Sequence, residues 1–193
     1  MRSIFSVTFL CLAVVFHAWA QDLEAGIKAF NRGDYKGAVA QWRPLAEKGD
    51  RRAQHRLGLM YAQGLGVPRD PAEAAAWFFK AARQGHVASA YNLGFRYLKG
   101  EGVAKDLGTA ALWFRRAAGA GHVGAQHTLG LLLVNGDGVE RDYVQAYLWL
   151  SLSAKQKNRV AARDLQALIA HMTPAQVAEG EALVKKWQPD SLR

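Results

Sequence analysis

Glycine pairs are the first feature of this chain that could do chemistry. The pattern Gly-x-Gly begins at Gly64, Gly100 and Gly136. Glycine-rich loops of this kind can bind phosphate, but a dinucleotide fingerprint also needs a preceding strand and a third glycine. Here each pair follows a helical pattern, and the third glycine is missing. We therefore predict structural turns at these positions and no nucleotide cofactor.

Possible metal ligands are also present, but their spacing is unfavourable. One acidic cluster consists of Asn135, Asp137, Glu140 and Asp142. It lacks the Asp-x-Asp-x-Asp-Gly pattern that places oxygens around calcium. His55 and His127 are too far apart to share a metal, because they occupy equivalent places two repeat units apart and units stack roughly 10 Å apart. We predict no metal site, and we interpret His86 and His122 as polar turn residues.

Nucleophiles are few, and none has the surroundings that catalysis requires. Cys11 is the only cysteine and lies in the N-terminal apolar run, so neither thiol chemistry nor disulfides are expected in the rest of the chain. The serines beyond that run are Ser89, Ser151, Ser153 and Ser191. None of them lies in a nucleophile-elbow motif, and the carboxylates fall mainly at helix starts and turns. We predict that the protein is not an enzyme and has no catalytic residue and no cofactor.

The elements that position these residues are repeats with a 36-residue period. The columns that recur at this spacing are Leu57-Gly58, Leu93-Gly94 and Leu129-Gly130; Asp70, Asp106 and Asp142; and Trp77, Trp113 and Trp149. So many columns in one register predict three units, at residues 51–86, 87–122 and 123–158.

Each unit has the pattern of two helices. In the first unit, Ala53, Leu57 and Tyr61 have the spacing of a buried helical stripe, and Gly58 allows a neighbouring helix to approach closely. The Gly-x-Gly-Val turn ends that helix, and Asp70 followed by proline starts the next one as an N-cap. The second helix has an apolar face of Ala74, Trp77, Phe78, Ala81 and Ala82.

The motif Ala-x3-Leu-Gly-x2-Tyr-x2-Gly-x-Gly-Val-x2-Asp, followed by Ala-x2-Trp and Ala-Ala, resembles the Sel1-like repeat family. The third unit departs from it in having Leu133 in place of the tyrosine. The resemblance implies an all-α, right-handed solenoid of antiparallel helix pairs, close to tetratricopeptide repeats. It also implies an adaptor or regulator of signalling, secretion or envelope assembly. Some secreted relatives have a disulfide in every repeat, which this chain cannot form.

The segments that flank the three units are atypical, as terminal repeats usually are. Residues 21–50 are predicted to form a shorter capping helix pair. Residues 159–193 are predicted to form capping helices with two apolar stripes. Their residues are Val160, Leu165, Leu168 and Ile169 in one stripe, and Val177, Leu183, Val184 and Trp187 in the other. Thr173-Pro174-Ala175-Gln176 predicts an N-cap with a capping box. The alternative is that these helices form a separate partner-binding arm.

One side of the first helices is the candidate binding surface. In the fold implied by the resemblance, the side opposite the buried stripe lines a concave groove. There we place ten residues, which we call the stripe: His55, Arg56, Leu59, Tyr91, Asn92, Phe95, Arg96, His127, Thr128 and Leu131. Apolar anchors beside polar groups suit a peptide partner. The alternative is that the stripe packs against neighbouring helices.

The formal charge of +9 raises the possibility of a polyanionic partner. The basic residues are dispersed along the chain, which is typical of solvated helix faces and not of nucleic-acid binding. We predict a monomer that binds a protein or peptide of the cell envelope. The alternative is a binder of cell-wall polymer or exopolysaccharide, which would use basic and aromatic surface residues.

The N-terminus has the pattern of a secretory signal peptide at residues 1–20. Arg2 precedes an apolar run at residues 4–16, and Ala18-Trp19-Ala20 is a small-x-small cleavage site. The run is short for a membrane span, although an uncleaved anchor is the alternative. No later segment has the length and apolarity of a transmembrane helix. We expect a periplasmic or secreted protein that begins at Gln21.

Overall fold

The computed structural model describes residues 23–189. The predicted signal peptide, with its cleavage site and Cys11, lies outside these residues, as does Ser191. Within them there are ten helices and no strand. The helices are α1 (23–31), α2 (Tyr35–Glu47), α3 (Arg51–Gln63), α4 (Pro71–Arg83), α5 (Val87–Lys99), α6 (Leu107–Gly119), α7 (Val123–Asn135), α8 (Tyr143–Lys155), α9 (Arg159–Ile169) and α10 (Pro174–Lys186). The predicted all-α class is confirmed.

The described residues form two compact units, which divide after Ala81, near the end of α4. The core of the first unit surrounds Trp42, which is almost fully buried and donates from Nε1 to the carbonyl of Leu23 at 3.2 Å. The second unit has its own core, in which Phe114, Leu129 and Leu150 are fully buried.

Both helices of a repeat begin at N-cap residues that lie in the repeat register. Aspartates cap the second helices: Asp34, Asp70, Asp106 and Asp142 accept hydrogen bonds from backbone N–H groups. The first helices are capped by Asp50, His86, His122 and Asn158. The prediction that the two histidines are simple turn residues was therefore incomplete, because each accepts a backbone hydrogen bond at a helix start.

The Gly-x-Gly turns have the structural role that the sequence predicts. Gly64, Gly100 and Gly136 adopt the left-handed conformation that ends a helix. At Gly138, φ is +70°, and an added Cβ would lie 2.4 Å from the carbonyl oxygen of Leu107. Glycine is required there because the turn lies directly against the backbone at the start of α6.

Close packing between the two helices of a repeat depends on glycine in the first helix. A Cβ added at Gly94 would lie 2.8 Å from the ring of Phe114, and one at Gly130 would lie 2.7 Å from Leu150. Gly58 has the same relationship to Phe78. The predicted close approach is confirmed, and the neighbour at each position is the second helix of the same repeat.

The C-terminal helices α9 and α10 both pack against α8. The predicted capping box is present, since Thr173 N–H donates to the Gln176 side chain and Gln176 N–H donates to Thr173 Oγ1. Leu168 is buried, as an apolar stripe requires. Val160 is 49% exposed, so its predicted place in that stripe was wrong. It lies in the first turn of α9.

Candidate partner-binding surface

All ten stripe residues are partly exposed, and none is fully buried. They divide between the two units, with three in α3, four in α5 and three in α7. A sealed core would exclude solvent from these side chains, and an open groove would leave them largely exposed. Intermediate exposure indicates that each side chain packs on one side and meets solvent on the other.

In the first unit, the stripe residues of α3 contact buried aromatic rings. The imidazole of His55 lies 5.7 Å from the ring of Phe78, measured between centroids. The guanidinium of Arg56 lies 5.2 Å from the ring centroid of Trp42, within the range of a cation–π interaction. Leu59 is half-buried beside them.

In the second unit, Tyr91 and Phe95 belong to an aromatic cluster. Their ring centroids are 4.9 Å apart in an edge-to-face arrangement, and both rings pack against Phe114. Tyr91 also stacks on His122 at 4.2 Å. Burial raises the pKa of the Tyr91 hydroxyl. These two rings therefore contribute to packing within the chain as well as to its surface.

The polar residues at the border of the stripe are mostly engaged within the chain. Arg96 pairs through Nη1 with Glu101, and its side chain is only 17% exposed. Thr128 Oγ1 donates to the carbonyl of Gly124 at 2.9 Å. Asn92 is half-buried. The carboxylate that pairs with the Arg96 guanidinium is therefore supplied by the chain itself.

The stripe residues of α7 lie beside α9. His127 Nε2 is 2.8 Å from Asp164 Oδ2, and Asp164 also pairs with Arg163 at 3.1 Å. Burial acts to raise the pKa of Asp164, but the hydrogen bonds and charges of His127 and Arg163 outweigh it, so the pKa lies below its usual value. Asp164 is therefore ionised at neutral pH.

A cavity of about 250 Å³ opens next to this pair. Its apolar lining consists of Leu131, Val134, Tyr143, Ala167 and Leu168, and Asp164 and His171 contribute polar groups. The sequence analysis placed Leu131 on this side of α7 but did not bring residues of α8 and α9 next to it. The sequence does contain evidence for the position of α9. Asn158 lies in the same repeat register as Asp50, His86 and His122, so α9 corresponds to the first helix of a further repeat.

The comparisons with known proteins agree with this architecture. The model of the Sel1 repeat matches residues 51–86, 87–122 and 123–158. The chain belongs to the Sel1 repeat family. It is similar to the crystal structure of a Sel1 repeat protein from Oxalobacter formigenes, with 31% identity and a TM-score of 0.71, over 74% of this chain and 59% of that one.

A second Sel1-type structure is that of a protective antigen present in uropathogenic Escherichia coli strains. It is 32% identical with a TM-score of 0.72, over 86% of this chain and 40% of the antigen. This chain therefore spans less than two thirds of the length of each of these two proteins. A search of curated proteins finds no match. Sel1 repeat proteins generally mediate protein–protein interactions and are typically non-catalytic scaffolds.

The acidic residues of the Sel1 turns have local structural roles. Asp142 caps α8 by accepting from Gln145 N–H at 3.0 Å, and Asn135 donates to Asp137 at 3.1 Å. Across residues 23–189, no group of three or more His, Cys, Asp or Glu side chains is placed to hold a metal ion. In the same range no helix combines the length and apolarity needed to cross a membrane.

Proposed function

We propose that this Sel1 repeat protein is an exported adaptor that binds an extended segment of another envelope protein at the part of its stripe that lies in the second unit. The cavity between α7 and α9 carries the proposal. It offers about 250 Å³ of mainly apolar space, enough for one apolar side chain of a partner, beside the ionised Asp164. Apolar anchors in desolvated pockets, bordered by polar groups, dominate the energetics of peptide binding.

A displayed library of random peptides, selected on the immobilised protein, tests this proposal. We expect enriched peptides to share a large apolar side chain. Their affinity should fall about tenfold or more for Leu131→Gln, because the anchor loses its apolar contact. Leu112→Gln is the matched control, since Leu112 is 51% exposed on α6 and lies outside the stripe. Equal binding by both variants would contradict the site.

Export is a separate part of the proposal and rests on the signal pattern of residues 1–20. It is tested by expressing the full chain in a bacterium, fractionating the cells and sequencing the N-terminus of the recovered protein. A periplasmic protein that begins at Gln21 is the expected result. A protein retained in the cytoplasm with residues 1–20 intact would refute export without affecting the binding site.

The alternative partner, a polysaccharide, is supported by exposed cations near the ends of the second helices of the second unit: Arg115, Arg116, Lys155, Lys185 and Lys186. Sugar binding also uses exposed aromatic faces: Trp113 and Trp149 are buried, whereas Trp187, beside Lys185 and Lys186, is partly exposed. Salt dependence separates the two, because retention of a charged polymer falls steeply with ionic strength, whereas an apolar anchor is retained.

A further inference from the structure

A second cavity lies between α8 and α10, away from the stripe. Its volume is about 300 Å³, and its lining residues are Tyr147, Ser151 and Lys155 from α8 and Glu181, Val184 and Lys185 from α10. The three α8 residues are spaced by four, so they share one face of the helix. Both helices belong to the second unit.

The hydroxyl of Ser151 is the unusual feature of this cavity. The residue is only 6% exposed, and its Oγ has no hydrogen-bond partner among residues 23–189. Other buried serines of the second unit are paired: Ser153 Oγ donates to the carbonyl of Val123 at 2.9 Å, and Ser89 Oγ lies 3.0 Å from His86 Nδ1. An unpaired buried hydroxyl is costly. The repeat pattern does not require a serine at this position, because the equivalent residue of the preceding repeat is Arg115.

Charge around the cavity favours an anion. Lys155 lies in the last turn of α8 and Lys185 in the last turn of α10, and both lysines line the cavity together with Ser151. Glu181 reduces the local charge from two positive charges to one. Within the described part of the chain, none of these three residues forms an ion pair. A single negative charge would therefore complement the site.

The remaining lining is apolar. The ring of Tyr147 is about nine-tenths buried, and Val184 of α10 contributes a branched aliphatic side chain. A ligand that uses every part of the cavity has one carboxylate, which accepts from Ser151 and the lysines, and a short apolar body beside Tyr147.

We propose that the cavity between α8 and α10 binds a small monocarboxylate, and that the Ser151 hydroxyl donates a hydrogen bond to it. The carboxylate can belong to a free small molecule or to the C-terminus of a peptide. This site is independent of the proposed peptide groove, because it shares no lining residue with the cavity between α7 and α9.

The test is a titration of the isotope-labelled protein followed by amide chemical shifts. The probes are butanoate, its neutral analogue butanamide, inorganic phosphate, and a tripeptide with either a free or an amidated C-terminus. We expect saturable shifts at residues around the cavity with butanoate and none with butanamide. Ser151→Ala should weaken butanoate binding about tenfold, because hydrogen bonds to charged groups are the strong ones. This variant should fold, since it removes only an unpaired hydroxyl.

Two lysine variants provide a matched comparison. Lys185→Gln should weaken binding severalfold, whereas Lys186→Gln should not, because Lys186 is exposed and does not line the cavity.

Binding of the free-acid tripeptide but not of its amide would assign the carboxylate to a peptide C-terminus; binding of butanoate alone would assign it to a free acid. The proposal is overturned if butanoate gives no saturable shifts, or if Ser151→Ala binds it as the wild type does. It is also overturned if butanamide or phosphate binds as well as butanoate, since the site would then be a mere apolar crevice or a non-specific cation cluster.

Discussion

The ring of Tyr91 stacks on the imidazole of His122, with centroids 4.2 Å apart and planes inclined by 30°. Tyr91 lies in α5, and His122 caps α7 of the next repeat by accepting from Ala125 N–H through Nδ1 at 3.1 Å. A nitrogen that accepts carries no proton, so His122 is neutral with its hydrogen on Nε2. The ring contact therefore joins two successive repeats, and the N-cap hydrogen bond requires an uncharged histidine.

The first prediction is a dependence of stability on pH at His122. Burial lowers the pKa of this imidazole below its usual value of 6.5. The neutral ring therefore stabilises the folded state fully above pH 6.5, and that contribution is lost as the pH falls through the lowered pKa. Urea unfolding at several values between pH 8 and pH 5 should show the loss.

The matched control is His122→Asn, which keeps an N-cap side chain but does not titrate. Its free energy of unfolding should fall less than that of the wild type as the pH decreases. His122→Ala should cost about 1 kcal/mol at pH 8, because it removes the cap. Parallel pH profiles for the wild type and the asparagine variant would show that His122 does not cause the dependence.

The second prediction concerns the close approach of α5 and α6. Gly94→Ala should lower the free energy of unfolding by about 1–3 kcal/mol through overpacking, because its Cβ would lie 2.8 Å from the fully buried ring of Phe114. Gly108→Ala is the control: its Cβ would have no neighbour closer than 3.4 Å. It should stabilise α6 by about 0.5–1 kcal/mol. Thermal unfolding distinguishes the two, and equal shifts would contradict the packing argument.

The third prediction concerns Lys157, whose φ of +67° is the only positive value at a described non-glycine residue. Gly49, Gly85 and Gly121 occupy the same column of the repeat and also have positive φ. Lys157→Gly should therefore raise the free energy of unfolding by about 1 kcal/mol, because glycine adopts this conformation without strain.

The reciprocal substitution is Gly121→Ala, which introduces the same strain at φ +87° with no neighbour within 4 Å of the added Cβ. It should destabilise the protein by about 1 kcal/mol. Chemical unfolding of both variants measures the two changes. If they do not have opposite signs, backbone strain in this column is not the cause.

The fourth prediction concerns a buried amide. Gln126 is fully buried, donates to the carbonyl of Ala118 at 3.2 Å and accepts from Gln156 at 2.9 Å. Gln126→Leu should destabilise the protein by about 1–3 kcal/mol, since it removes both hydrogen bonds of the buried amide; the Ala118 carbonyl still accepts from Gly121 N–H at 2.9 Å. Gln156→Ala should cost less than about 1 kcal/mol, because its exposed side chain can be replaced by water. Urea unfolding measures the loss in the free energy of unfolding for each variant. A larger loss for Gln156→Ala than for Gln126→Leu would contradict the prediction.

Much of the fold was predictable from local pattern. The 36-residue columns, the glycine turns and the aspartate N-caps each depend on a few neighbouring residues. Helix period and cap chemistry act within one or two turns. The same local rules predicted the capping box at Thr173 and Gln176. They missed the role of His86 and His122, because histidine is not among the usual N-cap residues.

The sequence by itself determined the all-α repeat fold and the membership of the Sel1 family, and it predicted the first-helix stripe. Only the tertiary structure decided which stripe residues are already paired. Tyr91 meets His122 across 31 positions of the chain, and His127 meets Asp164 across 37 positions. The hydrophobic period predicts which face of a helix is apolar, but it does not predict which side chain of a neighbouring helix that face contacts. The Ser151 hydroxyl, which has no partner among residues 23–189, and the two cavities also depend on how the helices pack, so the tertiary structure was needed to reveal them.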